Sequence, residues 1–411
     1  MNSVKTRYGD KFYRYYLLYT ALETDLLFWV VCDVLFMVHV KKLTAGEVSL
    51  ITFLSLGFSI LIQYPLLKFI NRIGNKAAVR VGSVMFFFSA ACITLAPGFA
   101  VILIGGFVKC VAHTLNSMGS ALLKNRLVKD KRAEQYVAYQ SDANSATSLA
   151  MMLTSLICGF LFRIYAYLPM ILCMVFSLFG AIISFYVSKE EESVGTITAA
   201  EDIRTLAEGQ KRIRKTSGIL MLTSFAVFTA LTGAGLSYAR MNFQYILVDE
   251  KPEYVLMLLS IVSTLVYFFR ILSNIVMRDK LAKFKDRLAI IVAVLLIAGL
   301  FMQTVLWNTD TGYTKLLLCF GYLLIAFVRD PYITFMQSIS LESGDLKRQQ
   351  SMLIALNGAK KIGALVLSLA GTFLLNHDTI SSVMIMMVGA AALNLILCIW
   401  YVKKRSAETV M

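Results

Sequence analysis

Apolar residues along the chain gather in blocks of about twenty, separated by short polar and charged stretches. A helix that crosses ~30 Å of hydrocarbon needs ~20 such residues, because each residue advances it by ~1.5 Å. The pattern therefore predicts an all-α polytopic membrane protein with twelve spans, at residues 15–38, 47–67, 77–97, 99–123, 141–162, 167–188, 218–247, 254–277, 288–307, 315–341, 351–375 and 380–402.

Positive charge divides the predicted loops into two sets. Of 40 Lys and Arg residues, 29 lie in or beside the loops of one side, five lie on the other side and six lie within spans. Loops rich in Lys and Arg stay cytoplasmic during insertion, so both termini are predicted to be cytoplasmic. The net charge of +15 is then an orientation and lipid-headgroup signal, and no nucleic-acid partner is expected. With no cleavable signal visible, we expect a multi-pass protein of the cell (inner or plasma) membrane.

Composition excludes several functional classes. The chain is 58% hydrophobic, and its seven cysteines form no C-x-x-C pair, so neither a disulfide framework nor a metal site is predicted. Motifs for a phosphate loop, a zinc protease or a serine hydrolase are missing from the sequence. We therefore expect neither an enzyme nor a cofactor, and energy for any transport would come from a gradient.

Weak internal repeats suggest a duplicated six-span unit. TAL at 20–22 recurs at 229–231, NRIG at 71–74 is matched by DKLA at 279–282, and FVK at 107–109 by FVR at 327–329. A long charged loop lies between the two copies. The predicted division is an N-terminal six-helix bundle at 1–190, a cytoplasmic loop at 191–217 and a C-terminal six-helix bundle at 218–411.

The segment after the second predicted span resembles the cytoplasmic signature of the major facilitator superfamily, P-x-G-x-x-x-D-R-x-G-R-K. Asn71 stands where that signature has an aspartate, so a locking contact through charge is not expected there. Four residues match in register: Pro65, Arg72, Gly74 and Lys76.

The resemblance implies two pseudo-symmetric bundles that rock around a site near the membrane midplane. It implies a monomeric secondary active transporter of a small molecule in a lipid bilayer, coupled to H⁺ or Na⁺. The first, fourth, seventh and tenth spans would line its cavity. A drug or metabolite exporter of low specificity, and a sensor or scaffold that does not transport, are the alternatives.

Charged residues inside the fourth and tenth spans are the first candidates for the site. Lys109, with His113 four and Asn116 seven residues on, gives one polar face of a helix. Arg329 and Asp330 lie at the matching place in the second half. A buried charge in a span needs a reason, either a solute or a structural ion pair. The paired cations favour an anionic or zwitterionic solute.

The first and seventh spans supply the remaining candidates for substrate or ion binding. In a continuous helix Asp25 and Trp29 share a face with Asp33 at its edge, while Glu23 points nearly opposite. Asp25, and then Asp33, are the predicted proton or cation sites, unless one of them pairs permanently with Lys109. Arg240 in the seventh span is a further candidate for substrate contact.

Charged residues at the cytoplasmic ends of the fifth and eleventh spans could form a gate. Asp142 would pair there with Lys360 or Lys361; the alternative is that these lysines extend to the headgroups. Together with the signature, the predicted gating residues are Asn71, Arg72, Gly74, Asp142, Lys360 and Lys361.

Overall fold

The computed structural model of the protein describes residues 10–23, 25–29, 32–33, 36–43, 45–188, 216–246, 252–279, 287–304, 312–340, 346–377 and 380–410. The predicted central loop at 191–217 lies almost wholly outside these residues, as does the side chain of Arg240. The roles assigned to that loop and to Arg240 therefore stay predictions.

The described residues form helices and no β-strand. A π-helical turn, Phe36–Val40, and a short 3-10 turn, Ala133–Gln135, accompany the α-helices. The α-helices are α1 Lys11–Glu23, α2 Ala45–Leu61, α3 Gln63–Leu95, α4 Phe99–Asn116, α5 Gly119–Lys129, α6 Tyr136–Ile164, α7 Leu168–Val187, α8 Thr216–Ile246, α9 Pro252–Asp279, α10 Arg287–Thr304, α11 Gly312–Ser340, α12 Leu346–His377 and α13 Ile380–Val410.

Nine helices in the described part of the chain are long and apolar enough to cross a membrane. Many large apolar side chains on them are exposed, among them Phe160, Phe179 and Trp400. In water such a surface would be unfavourable, whereas lipid chains can cover it without loss. The exposed surface thus agrees with the membrane class that the sequence predicts.

The chain divides into two compact units. Unit 1 comprises Met1–Asp202 with Asp345–Gln350, and unit 2 comprises Ile203–Gly344 with Ser351–Met411. In unit 1, α3 packs against α4 and α7, α1 packs against α6 and α7, and α2 packs against α4. In unit 2, α8 and α10 each pack against α11 and α13, and α9 packs against α11.

The first predicted span is not one continuous helix. In the described residues the α-helix ends at Glu23, and Asp25 and Leu26 are non-helical. Leu26 and Leu27 are nevertheless buried, so the break lies inside the unit. Irregular backbone at membrane depth is tolerated where protein satisfies its polar groups. Accordingly, Thr154 on α6 donates a hydrogen bond to the Leu27 carbonyl oxygen at 3.4 Å.

The predicted loop at 68–76 is largely helical, and the connection between two helices is confined to a single residue within α3. The chain changes direction within α3 at Gly74, which has φ 79° and ψ 167°. Only glycine adopts that backbone conformation without strain. The signature glycine is therefore the junction between two helices, within the stretch where the sequence predicts a longer connecting loop.

The fourth predicted span, 99–123, consists of two helices. α4 ends at Asn116, residues 117–118 form a turn, and α5 begins at Gly119. α5 continues to Lys129, so much of the predicted loop at 124–140 is helical as well. Lys109, His113 and Asn116 all lie on α4, as predicted.

Candidate functional site

Three ionisable side chains meet where the α1 helix ends and α4 passes it. Lys109 Nζ on α4 lies 2.8 Å from Asp25 Oδ1, and His113 Nε2, one turn further on, lies 3.8 Å from the same oxygen. Their side chains are 19%, 33% and 34% exposed for Lys109, Asp25 and His113. This group of Asp25, Lys109 and His113, called the acid–base cluster below, is therefore only partly covered by protein.

The break in the first span positions Asp25. Its Oδ1 accepts a hydrogen bond from the Leu26 backbone N–H at 2.8 Å, which fixes the carboxylate at the non-helical turn. His113 is positioned from the other side by Phe86 on α3, with the ring centroids 5.2 Å apart and the rings nearly edge-on. A carboxylate with one lysine and one imidazole at its oxygen can bind a proton, a cation or, after a shift of Lys109, an anionic group.

Asn116 does not join the acid–base cluster. Its Nδ2 donates to Glu23 Oε2 at 2.9 Å. The predicted polar face of α4 therefore has two partners, with Lys109 and His113 contacting Asp25 and Asn116 contacting Glu23. The prediction that Glu23 points away from Asp25 assumed an unbroken helix, and the break brings both acids within reach of α4.

Trp29 and Asp33 lie on the segment beyond the break. Trp29 packs against an apolar cluster that includes Met37, Leu43 and Ile51, and its ring centroid lies 6.4 Å from that of Phe36. Trp29 thus packs against this cluster, and its predicted role in substrate binding stays a prediction. Asp33 is partly buried, and its proposed role in ion binding stays a prediction.

Arg329 and Asp330, the cation and the acid of the tenth predicted span, have different surroundings. Asp330 Oδ2 and Oδ1 accept from Arg270 Nε and Nη2 on α9, at 3.0 and 2.9 Å. Asn274 Nδ2 donates to Asp330 Oδ2 at 3.1 Å. Asp330 is thus held by two residues of α9. Arg329 is partly buried. The helix α11 continues through Pro331.

The predicted gating residues differ in how deeply they are buried. Asn71 and Asn75 of the signature are buried, whereas Arg72 is exposed. The Asn71 Oδ1 atom lacks a hydrogen-bond partner among the described residues. Asp142, Lys360 and Lys361 are partly buried, and the pairing of Asp142 with either lysine stays a prediction.

Lys41, outside the predicted spans, is a cation that binds backbone instead of an acid. Its Nζ donates to the carbonyl oxygens of Thr94 and Ala96 at 2.7 and 2.8 Å, at the C-terminal end of α3. The same ammonium lies over the rings of Phe36 and Tyr167. Partial burial lowers the pKa of Lys41 from its ordinary value. The contacts cap α3 and tie it to the C-terminal end of the first predicted span.

Sequence reasoning missed the importance of Glu23, Arg270 and Asn274. Each lies in an apolar span, which was the available signal. Their partners could not be identified from spacing, because they lie 56 to 93 residues away. Within the described residues, no group of three or more His, Cys, Asp or Glu side chains is placed to hold a metal ion.

Comparisons with known proteins decide the family. The sequence profile of the Major Facilitator Superfamily matches residues 20–344, well over half of the chain. The chain belongs to the major facilitator superfamily. No curated protein matches it significantly by sequence. The family assignment that the signature around Gly74 suggested is therefore supported over most of the sequence.

Solved structures show the same fold at low sequence identity. A bacterial homologue of the iron transporter ferroportin, in an outward-facing state, aligns with a TM-score of 0.73 and 12% identity, over 96% of this chain and 100% of that one. The human organic anion transporter MFSD10 gives a TM-score of 0.66 at 14% identity, over 93% and 98% of the two chains. A variant of the nucleoside transporter NupG gives 0.68 at 11%, over 95% and 100%.

These comparisons confirm the predicted fold class and superfamily membership. The protein is a multi-pass helical membrane protein of a transporter family, with the twelve-span, two-bundle fold that the sequence predicts. At 11–14% identity the neighbours report on the fold alone, since the three transporters are named for different solutes.

Proposed function

We propose that the protein is a secondary active transporter that moves a small solute by alternating access, and that the acid–base cluster is part of its solute site. The observation that carries this proposal is the partial exposure of Asp25, Lys109 and His113 within a membrane span. A charged group within a span is costly unless it is paired or faces water. Here the charges are paired and yet remain open on one side, which leaves room for a third partner.

The chemistry of the cluster supports a solute with an anionic or zwitterionic group. A carboxylate or phosphate oxygen could take the place of Asp25 at Lys109, and the displaced Asp25 could then bind an ammonium group. His113 adds a hydrogen-bond donor whose charge depends on pH near neutrality. Broken transmembrane helices are where many transporters place such sites, because the ends of the helix supply free polar groups.

The same proposal includes ion coupling, orientation and gating. H⁺ or Na⁺ is the driving ion, both termini are cytoplasmic, and the chain works as a monomer in the cell (inner or plasma) membrane. The excess of Lys and Arg on one side of the predicted topology supports this orientation. Bending at Gly74, and pairing of Asp142 with Lys360 or Lys361, would close the cytoplasmic side.

The test is thermal stability of the purified protein with a panel of solutes at pH 6 and 8. The panel comprises L-glutamate, inorganic phosphate, L-alanine, glucose and tetraphenylphosphonium. A ligand that binds only the folded state stabilises it by RT ln(1 + [L]/Kd), about 2.7 kcal/mol at 100 times Kd. We expect an anionic or zwitterionic member to stabilise the parent, and Lys109→Ala to abolish that stabilisation.

Lys129→Ala is the matched control, because Lys129 is an exposed cation at the end of α5. It should respond to the solute as the parent does. Equal stabilisation of parent and Lys109→Ala by tetraphenylphosphonium or glucose would contradict the solute role of the cluster and favour a low-specificity exporter. Failure of every solute, both here and in uptake by proteoliposomes, would favour a sensor or scaffold.

A further inference from the structure

Glu23, the last residue of α1, is a deeply buried acid. It is 2% exposed, whereas Asp25 two residues later is 33% exposed. Its Oε2 accepts one hydrogen bond, from Asn116 Nδ2. Its Oε1 is buried and has no hydrogen-bond partner among the described residues. Unlike Asp25, Glu23 has no Lys, Arg or His within ion-pair distance in the described part of the chain.

Helices α3, α4 and α7 enclose the Glu23 carboxyl. Gly180 of α7 lies directly against Oε1, and a β-carbon at that position would overlap this oxygen. Gly82 of α3 packs in the same way against Asn116 Oδ1. The two glycines therefore leave enough space for a carboxyl group and an amide, and for nothing larger beside them.

The neighbours of Glu23 offer hydrogen bonds but no compensating charge. Ser83 of α3 lies beside the carboxyl, and its buried hydroxyl is a neutral group that can donate to it or accept from it. Tyr19 is the titratable neighbour on α1, and its hydroxyl donates to the Asn116 carbonyl oxygen at 3.5 Å. α6 supplies Thr147, which bonds to the Thr20 carbonyl oxygen.

A bare carboxylate in this place would lose its hydration and gain only neutral donors, the Asn116 amide and the Ser83 hydroxyl. Burial of an ionised group without a counter-ion is unfavourable, so such groups take up a proton instead. A proton on Oε1 would also give the unpartnered oxygen a donor that Ser83 could accept. The arrangement thus suits a neutral carboxylic acid.

We propose that Glu23 is the proton-binding site of this transporter. The carboxyl takes a proton from water when α1 and α4 expose it, forming an O–H bond, and it is buried as a neutral acid. It returns the proton to water when it is exposed on the other side. Asp25 differs, because Lys109 lies 2.8 Å from it as a counter-ion. The transport part of this proposal rests on the proposed function, whereas protonation of Glu23 does not.

Infrared spectroscopy at pH 7 tests the protonation directly. The parent should show the C=O stretch of a protonated carboxyl, and Glu23→Gln should lose it while keeping the hydrogen bond to Asn116. Glu47→Gln makes the same chemical change at a partly exposed acid of α2 and should keep the band. A parent spectrum identical to that of Glu23→Gln would overturn the assignment.

Proteoliposomes with an internal pH dye test the coupling, using whichever solute of the panel stabilises the parent. Solute addition should move protons in the parent and in Glu47→Gln, and at least tenfold less in Glu23→Gln. Solute movement without protons in the parent would overturn the coupling role. If the infrared band is present but no solute moves, the proposed function fails while the protonation of Glu23 stands.

Discussion

Each unit has an ion pair that involves an acid of a predicted span, and the two pairs are built differently. In unit 1 a single contact of 2.8 Å joins Lys109 to Asp25, whose side chains are 19% and 33% exposed. In unit 2 Arg270 holds Asp330 through two parallel hydrogen bonds, and these side chains are 16% and 6% exposed. Asn274 adds a third bond to Asp330.

The difference separates a partly exposed pair with one direct contact from a more buried pair with several. A two-pronged arginine–carboxylate contact fixes the geometry of both side chains, and Asn274 occupies a further acceptor site of Asp330, whereas a lysine is a mobile point charge. The unit 2 pair therefore fastens α9 to α11. The unit 1 pair remains accessible, which is what a solute site requires.

The comparison also limits what the internal repeat implies. Lys109 and Arg329 occupy matching places in the repeated sequence. In unit 1 the matching cation is the residue that forms the pair, whereas in unit 2 the pair uses Arg270 from another helix. The repeat thus predicts where charge lies along the chain, and the packing of each unit decides which residue pairs with which.

Asp330→Asn should have the largest effect on stability. It keeps the shape of the side chain but removes the charge of the buried Asp330 that Arg270 contacts, and breaking a buried pair from one side typically costs about 3–5 kcal/mol. We expect a large loss of folded protein, measured by thermal unfolding of the purified protein and by its monodispersity in detergent. Replacing both partners, Arg270→Leu with Asp330→Leu, should cost less than the single change; equal or greater loss would show that the pair is not the cause.

Asp25→Asn makes the same substitution in unit 1 and should cost far less, about 1 kcal/mol or below. The reason is that a partly exposed pair gains little net free energy from its charge. The unfolding temperatures of the Asp25→Asn and Asp330→Asn variants, measured side by side, give the comparison its direct test. If both variants lose equal stability, the unit 1 pair is structural too, and the solute site must lie elsewhere.

Lys41→Gln should have the smallest effect, and the effect should depend on pH. The pKa of Lys41 is lowered in the folded protein, so as pH rises the folded state releases this proton before the unfolded state does. The contribution of Lys41 to stability should therefore increase as pH rises through its folded pKa, and stop increasing above the ordinary lysine range. Unfolding temperatures of the parent and Lys41→Gln should then diverge only at alkaline pH; a constant difference would contradict this.

Much of the fold could be predicted from the sequence. Blocks of apolar residues predicted the helical membrane class, and the residues around Gly74 predicted the superfamily. The wrong helix boundaries have a common origin. Hydropathy shows which segments prefer lipid, but it does not show where a helix ends or changes direction within such a segment. It could not show that α1 ends at Glu23, or that the two helices of α3 meet directly at Gly74.

For the candidate site, sequence alone selected Asp25, Lys109 and His113, because an ionisable residue in an apolar span is conspicuous wherever it occurs. Only the tertiary structure decided that Lys109 pairs with Asp25, that Asn116 turns to Glu23, and that Asp330 belongs to Arg270. These pairings depend on how deeply each side chain is buried and on which residues, distant in sequence, the fold brings next to it. Composition determines that charges must be compensated in the membrane, and packing determines by what.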